Sequence, residues 1–421
     1  MKQRIYFCID MKSFYASVEC AERHLSPFET NLVVADESRG QGAITLAISP
    51  KMKTLGVKNR CRLFEIPKNI DYIIAKPRMG LYIKYCGDIF DVYLDYISPD
   101  DIHQYSIDEA FLDVTDYLSL YNTEPRAFAK KLIDEIAVRT NIPATCGIGT
   151  NLYLAKIALD ITAKKTKDHI GFLDEETYRK TLWTHKPITD FWNVAAGTAN
   201  RLYRYGVTTM EGITRLPEDV LQRNFGKNYK ILLDHAFGRE SCTIADIKNY
   251  KAQSKSISNS QILFKDYDFQ KAKIVILEMA LAGCQRLLSE KLIAGNVGIY
   301  VGYSKDVLPP SAATRKMANS TNLYSEVREY VEKLYDEIAD TNTPIRRLGI
   351  SFGALCDESA AGYDLFCDLD KMEKERKREE AILEIKEKFG KNAILRGFNL
   401  QEGATQAYRN TLIGGHNGGE E

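Results

Sequence analysis

No two of the nine cysteines are spaced as a CxxC pair, and this odd set, at 8, 20, 61, 86, 146, 242, 284, 356 and 367, is too scattered for a disulfide framework. Reduced thiols in a cytoplasmic protein are the expectation. Long hydrophobic runs are also missing: the most apolar helical stretch, "IVILEMALAGC" (274–284), carries Glu278 and falls short of the ~20 residues that span a bilayer. The opening "MKQRIYFCIDMK" lacks the hydrophobic core and cleavage site of a signal peptide. No membrane partner is therefore expected. Nor is there an excess of one charge, since Lys plus Arg and Asp plus Glu both total 57, which excludes a simple polycation coating nucleic acid or membrane. No repeat of fixed period is present. What remains is 421 residues, 44% hydrophobic and 27% charged, enough for two to four domains. Charge is sorted locally: residues 251–320 hold ten Lys or Arg against five Asp or Glu.

"RIYFCID" (4–10) alternates and reads as a buried strand ending at Asp10, followed by a helical pattern over 13–24 that Ser13 can cap. Short strands and small residues occupy 31–75, "YIIAKP" (72–77) is a strand, and 80–97 is helical. A hairpin around "YSIDEAFLD" (105–113), a helix from about Pro125 to Thr140, the strand "ATCGIG" (144–149) and a helix from Asn151 to about Lys164 follow. That order predicts an α+β fold rather than a doubly wound sheet. Residues 175–240 are mostly helical, "NYKAQSKSISNSQ" (249–261) has linker composition, and 268–353 alternate helices and strands as a separate α+β domain. The mixed charges of "DKMEKERKREEAILEIKEKFG" predict a solvated helix, and "GGHNGGEE" a flexible end.

The chemistry lies in three acids. Asp10 closes one strand, and Asp108 and Glu109 open another; bringing those ends together places three carboxylates at one sheet edge. Such a group cannot stay ionised without a cation. Adjacent strand residues point to opposite faces, so Asp108 and Glu109 can share a metal only if the chain turns at Ser106–Asp108. The all-oxygen set suits Mg²⁺, and two such ions would activate an attacking oxygen and stabilise a leaving one in phosphoryl transfer. A solvated turn is the plainer reading of an isolated Asp-Glu pair. Against it, the acids emerge from the apolar runs Ile5–Ile9 and Ala110–Leu112, where unpaired charge is costly.

"IDMKSFYASVE" (9–19), "YSIDEAFLD" (105–113), "GIGTNLYLAKIA" (147–158) and "KSISNSQ" (255–261), in this order, resemble the Y-family translesion DNA polymerases. "LEIKEKFGKNAILRGF" through "NTLIGGH" is similar to the UmuC-like, UV-damage-repair branch of Gram-positive bacteria. The resemblance covers nearly the whole chain. It implies a right-hand polymerase with a palm (1–30 and 76–174), small fingers (31–75), a helical thumb (175–245), a little finger (246–355) and a tail (356–421). It also implies that Asp10, Asp108 and Glu109, with the carbonyl of Met11, hold two Mg²⁺ ions. Primer-template DNA and dNTPs are the implied substrates, with accessory subunits among the possible partners.

By the same resemblance Tyr15 is a steric gate against a ribose 2′-hydroxyl, and Ser13, Phe14 and Tyr15 present a helix N-terminus to the triphosphate. Lys53 and Lys164 are triphosphate contacts, with Lys165 as the alternative to Lys164. Many relatives carry Tyr three residues before Lys53, where this chain has Pro50. In the thumb the usual Gly-Ile-Gly turn is replaced by Asn193-Val194-Ala195. Lys255, Arg315, Lys316, Arg346 and Arg347 are candidate DNA-phosphate contacts, and Leu365 and Phe366 the end of a candidate sliding-clamp peptide without its leading Gln. Two rival readings are a non-catalytic, clamp-tethered DNA-binding protein and a nucleotide cyclase. The intact acids speak against the first and the basic downstream domain against the second.

Overall fold

The alternating start of the chain becomes the central strand of a five-stranded sheet in the computed structural model, which describes residues 3–252, 255–304, 307–360, 362 and 368–419. Two units are distinguished, Met1–Tyr250 and Lys251–Glu421. The first contains β1 (Tyr6–Met11), β2 (Leu32–Val34), β3 (Ala47–Ile48), β4 (Ile73–Ala75), β5 (Ile102–Gln104), β6 (Glu109–Asp113), β7 (Ala144–Gly149) and β8 (Ile170–Leu173). The larger sheet runs β5-β6-β1-β7-β8, and a smaller one runs β3-β2-β4.

Strand alternation gives the larger sheet two faces. Phe7, on one, lies 5.9 Å from Phe128 of the helix Pro125–Thr140. Tyr6, Cys8 and Phe111, on the other, pack with Leu152, Ala155 and Leu159. This second face continues to Asp10, which stands opposite Glu109 in the β1–β6 register. Its covering helix, Leu152–Ile157, sits unusually close to β7. A Cβ on Gly147 would fall 2.1 Å from the Ala155 carbonyl oxygen and 2.2 Å from the Leu159 nitrogen. The glycines of "CGIG" thus serve close helix–sheet packing.

That helix departs from the expected continuous run to Lys164. It is α-helical to Ile157, then makes a π-helical turn over Ala158–Thr162 and a 3₁₀ turn over Ala163–Lys165. Such mid-helix turns recur at functional sites. Residues 175–249 are mostly helical, as the pattern over 175–240 predicts, and Asn193 takes a left-handed conformation (φ 67°) ahead of Val194 and Ala195.

The second unit is an antiparallel sheet ordered β11-β10-β12-β9, from β9 (Ile257–Tyr267), β10 (Leu292–Tyr303), β11 (Ser311–Thr321) and β12 (Ile345–Asp357). Helices Phe269–Ser289 and Tyr324–Ile338 share a core with Val297, Ile299, Val301, Leu348, Ile350 and Phe352 on one face of it.

Two expectations for the tail are corrected. The mixed-charge helix, Leu369–Phe389, is not solvated all round: Glu375 and Glu379 are buried. Glu375 accepts from the Ser325 amide at 3.1 Å, and Glu379 pairs with Arg396. Beyond it the chain crosses the helical layer. The carboxylate of Glu278, 1% exposed, accepts from Asn399 Nδ2 at 2.8 Å, the Thr405 amide at 2.7 Å and the Gln406 amide at 3.2 Å. The final glycine-rich stretch is not featureless either, since Leu412–Ile413 pairs with His416–Asn417.

Candidate active site and nucleic-acid face

The turn needed to gather the acids is present. Tyr105 and Ser106 both donate their amides to the Glu109 carbonyl, at 2.9 and 3.0 Å, and the chain bends over Ser106–Asp108 before β6 begins. The Ser106 hydroxyl holds Asp108 Oδ1 at 2.7 Å, and the Met11 amide donates to the Asp108 carbonyl at 3.0 Å. Asp108 is thereby fixed beside the end of β1 while Asp10 and Glu109 share a sheet face. Burial, then the neighbouring Asp108 and Glu109, push the Asp10 carboxyl up to about 7. Repulsion of that kind favours a cation.

Glu109 is nevertheless engaged by the protein. Lys156 donates to Oε2 at 2.9 Å and the Cys8 thiol to Oε1 at 3.1 Å. Among the described residues, no cluster of three or more His, Cys, Asp or Glu side chains is arranged to hold a metal ion. Burial alone would lower the Lys156 ammonium, but Cys8, Glu109 and Asp160 outweigh it and hold the pKa above its usual value. In sequence Lys156 is only one residue of the motif "GIGTNLYLAKIA" (147–158). The available signal was a lone cation in the apolar run "LYLAKIA".

Ser13 occupies the N-cap position of the helix Phe14–Ala21, yet its side chain makes no capping bond and its backbone is left-handed (φ 50°). Its Oγ is buried without a hydrogen-bond partner, an orphan hydroxyl beside free helix-end amides. Phe14 is core. Tyr15 stacks on Tyr82 with centroids 4.6 Å apart, and burial followed by Asp108 raises its pKa. Behind it, the Tyr82 hydroxyl donates to Glu19 at 2.8 Å, and Arg78 grips the same carboxylate in two bonds, at 3.0 and 2.8 Å. The gate candidate is therefore backed by a fixed ring.

Pro50 opens the short helix Pro50–Thr54 that carries Lys53. Burial lowers the Lys53 pKa, Asp10 opposes that shift and Lys164 adds to it. Lys12 is lowered likewise by burial and by Lys53. Three ammonium groups thus collect beside the acid edge. Lys164 is the lysine that Lys53 senses.

In the second unit the five basic candidates separate by face. Adjacent strand residues alternate, and Arg315, opposite Val297, is on the helical face. There it makes two bonds to Glu337, at 3.0 and 2.7 Å. Lys316, opposite Asn296, is on the face without helices. Arg346 pairs with Asp266 at 3.6 Å, whereas Arg347 lies opposite Gly302 and Ile262 on the helix-free face. Lys255 is exposed just before β9. Leu365 and Phe366 lie outside the described residues.

Comparison with known proteins adds an independent line. Residues 9–160 match the impB/mucB/samB family and residues 254–365 the C-terminal domain of that family. The chain is 32% identical to DNA polymerase IV 2 of Bacillus subtilis (strain 168), covering 99% of each chain. It is 30% identical to UvrX of the same organism, a protein with a provisional UV-damage repair name, over 97% of this chain and 96% of that one. A solved Y-family DNA polymerase chimera, Dbh-Dpo4(243-245)-Dbh, shares the fold with a TM-score of 0.64 at 20% identity, covering 84% of this chain and 99% of that chain.

Proposed function

We propose, from the premise that this chain belongs to the impB/mucB/samB family of Y-family DNA polymerases, that it extends primers on damaged DNA templates in the cytoplasm. It is a template-directed DNA polymerase that adds dNTPs to a primer 3′-end in low-fidelity translesion synthesis. The observation that carries the site assignment is the register that sets Asp10 opposite Glu109 with Asp108 in the preceding bend. Asp10, Asp108, Glu109 and the Met11 carbonyl are the residues that would hold two Mg²⁺ ions, which when bound neutralise the triphosphate and activate the primer hydroxyl.

The chain's own groups do the positioning. Lys53 and Lys164, with the Ser13 hydroxyl and the amides of Phe14 and Tyr15, receive the triphosphate oxygens. Tyr15, pressed on Tyr82, fills the volume a ribose 2′-hydroxyl needs. We read 31–75 as fingers, 175–245 as thumb and 246–355 as little finger, with Lys255, Lys316 and Arg347 following the DNA backbone. Arg315 and Arg346 contact it only by leaving Glu337 and Asp266. Clamp docking through Leu365 and Phe366 remains part of this reading.

Primer extension with purified protein, primed template, dNTPs and Mg²⁺ tests it. Wild type extends, and Asp108→Ala retains primed DNA without extending it; wild-type extension by that variant overturns the site assignment. Retention without extension by the wild type overturns the polymerase reading. In the same assay Tyr15→Ala raises the rNTP/dNTP incorporation ratio by about a hundredfold, roughly the 2.7 kcal/mol expected of a lost steric clash. An unchanged ratio removes the gate.

A further inference from the structure

The polymerase reading has no use for Lys156, whose side chain is only 11% exposed. Its ammonium lies 2.9 Å from Glu109 and 3.2 Å from Asp160. Lysine is rarely buried this deeply without partners. Both of these partners are acids, and one is a proposed cation ligand. The fold goes to some length to put it there. Gly147 and Gly149 let its helix press on β7, with backbone atoms 2.1 Å from where a Cβ would stand at either position. The π-helical turn that follows carries Asp160 to the same ammonium. Glu109 is left with Lys156 on one oxygen and Cys8 on the other. A divalent ion that takes Glu109 must compete with both for its two oxygens.

We propose that Lys156 is a built-in counter-cation: it holds Glu109 in the metal-free protein and gives Glu109 up, keeping Asp160, when a divalent ion enters. Lys156 is thus a positioning residue that sets the cation affinity of the site. Asp160, 30% exposed and four residues along the same helix, is the partner to which the ammonium retires. The inference rests on the reading of Asp10, Asp108 and Glu109 as cation ligands.

Two substitutions shift affinity in opposite directions. Lys156→Met removes the competing charge and tightens Mn²⁺ binding by about tenfold or more, one buried unit charge at this range being worth at least that much. Asp160→Asn removes the retreat, leaves the ammonium on Glu109 and weakens Mn²⁺ binding by several-fold. Titration of full-length protein with Mn²⁺ alone, reading free ion by electron paramagnetic resonance, measures both, and Asp10→Asn is the control. If wild type and Asp10→Asn bind Mn²⁺ alike, the cation reading of the three acids fails. If Asp10→Asn loses the site while Lys156→Met and Asp160→Asn leave affinity unchanged or shift it the same way, the counter-cation proposal fails and the site reading stands.

Discussion

Asp10 in the first unit and Glu278 in the second are both acids set into folded protein, and they are treated in opposite ways. Glu278 receives donors from Asn399, Thr405 and Gln406 and leaves nothing for a ligand. Asp10 faces two more carboxylates, and no hydrogen-bond donor reaches its side chain among the described residues. A charge answered inside the protein builds structure, whereas one left unanswered is held ready for something that arrives. The same contrast recurs between neighbours: Arg315 is tied to Glu337, while Lys316, one residue on, has no partner among the described residues.

Substitution at the two acids gives the largest effects and the clearest way to break this contrast. Asp10→Asn lowers extension about a thousandfold, as loss of a central electrostatic group does, yet raises the melting temperature of the metal-free protein by a few degrees because a repelled charge is gone. Glu278→Ala does the reverse. It strands buried donors and costs about 3 kcal/mol or more of stability in urea unfolding, while extension per folded molecule persists. A destabilised Asp10→Asn, or a stable Glu278→Ala, ends the comparison. The smaller effect is at Lys316 and Arg315. Lys316→Ala reduces the salt dependence of DNA binding by about one ion, and Arg315→Ala leaves that slope unchanged. Equal slopes for both variants show that the Arg315–Glu337 pair opens on DNA.

Much of this organisation is readable from residue order. Pro125 at the first helical position and Asn141 in a left-handed C-cap bracket a helix that its spacing predicts. The strand Ala144–Gly149 is equally plain, and the three acids are recognisable because each leaves an apolar strand. Other features depend on partners distant in sequence. Lys156 meets Glu109 across 47 residues, so nothing in "LAKIA" announces the pair. The tail helix looks solvated because its charges are mixed, but Glu375 and Glu379 find Ser325 and Arg396 through tertiary packing. Ser13 has the chemistry of a cap, yet with its left-handed backbone the hydroxyl makes no capping bond. Strand neighbours such as Arg346 and Arg347 read alike in sequence and part company only when the sheet assigns them faces.

The anchorage of the tail also bears on how the molecule is made. Glu278 emerges from the ribosome well ahead of Thr405, whose amide it accepts and which follows 127 residues later. Until Asn399, Thr405 and Gln406 are in place, the long helix around Glu278 carries a buried acid without its donors, so the finished packing of the second unit waits on a stretch of chain far along from the helix it completes.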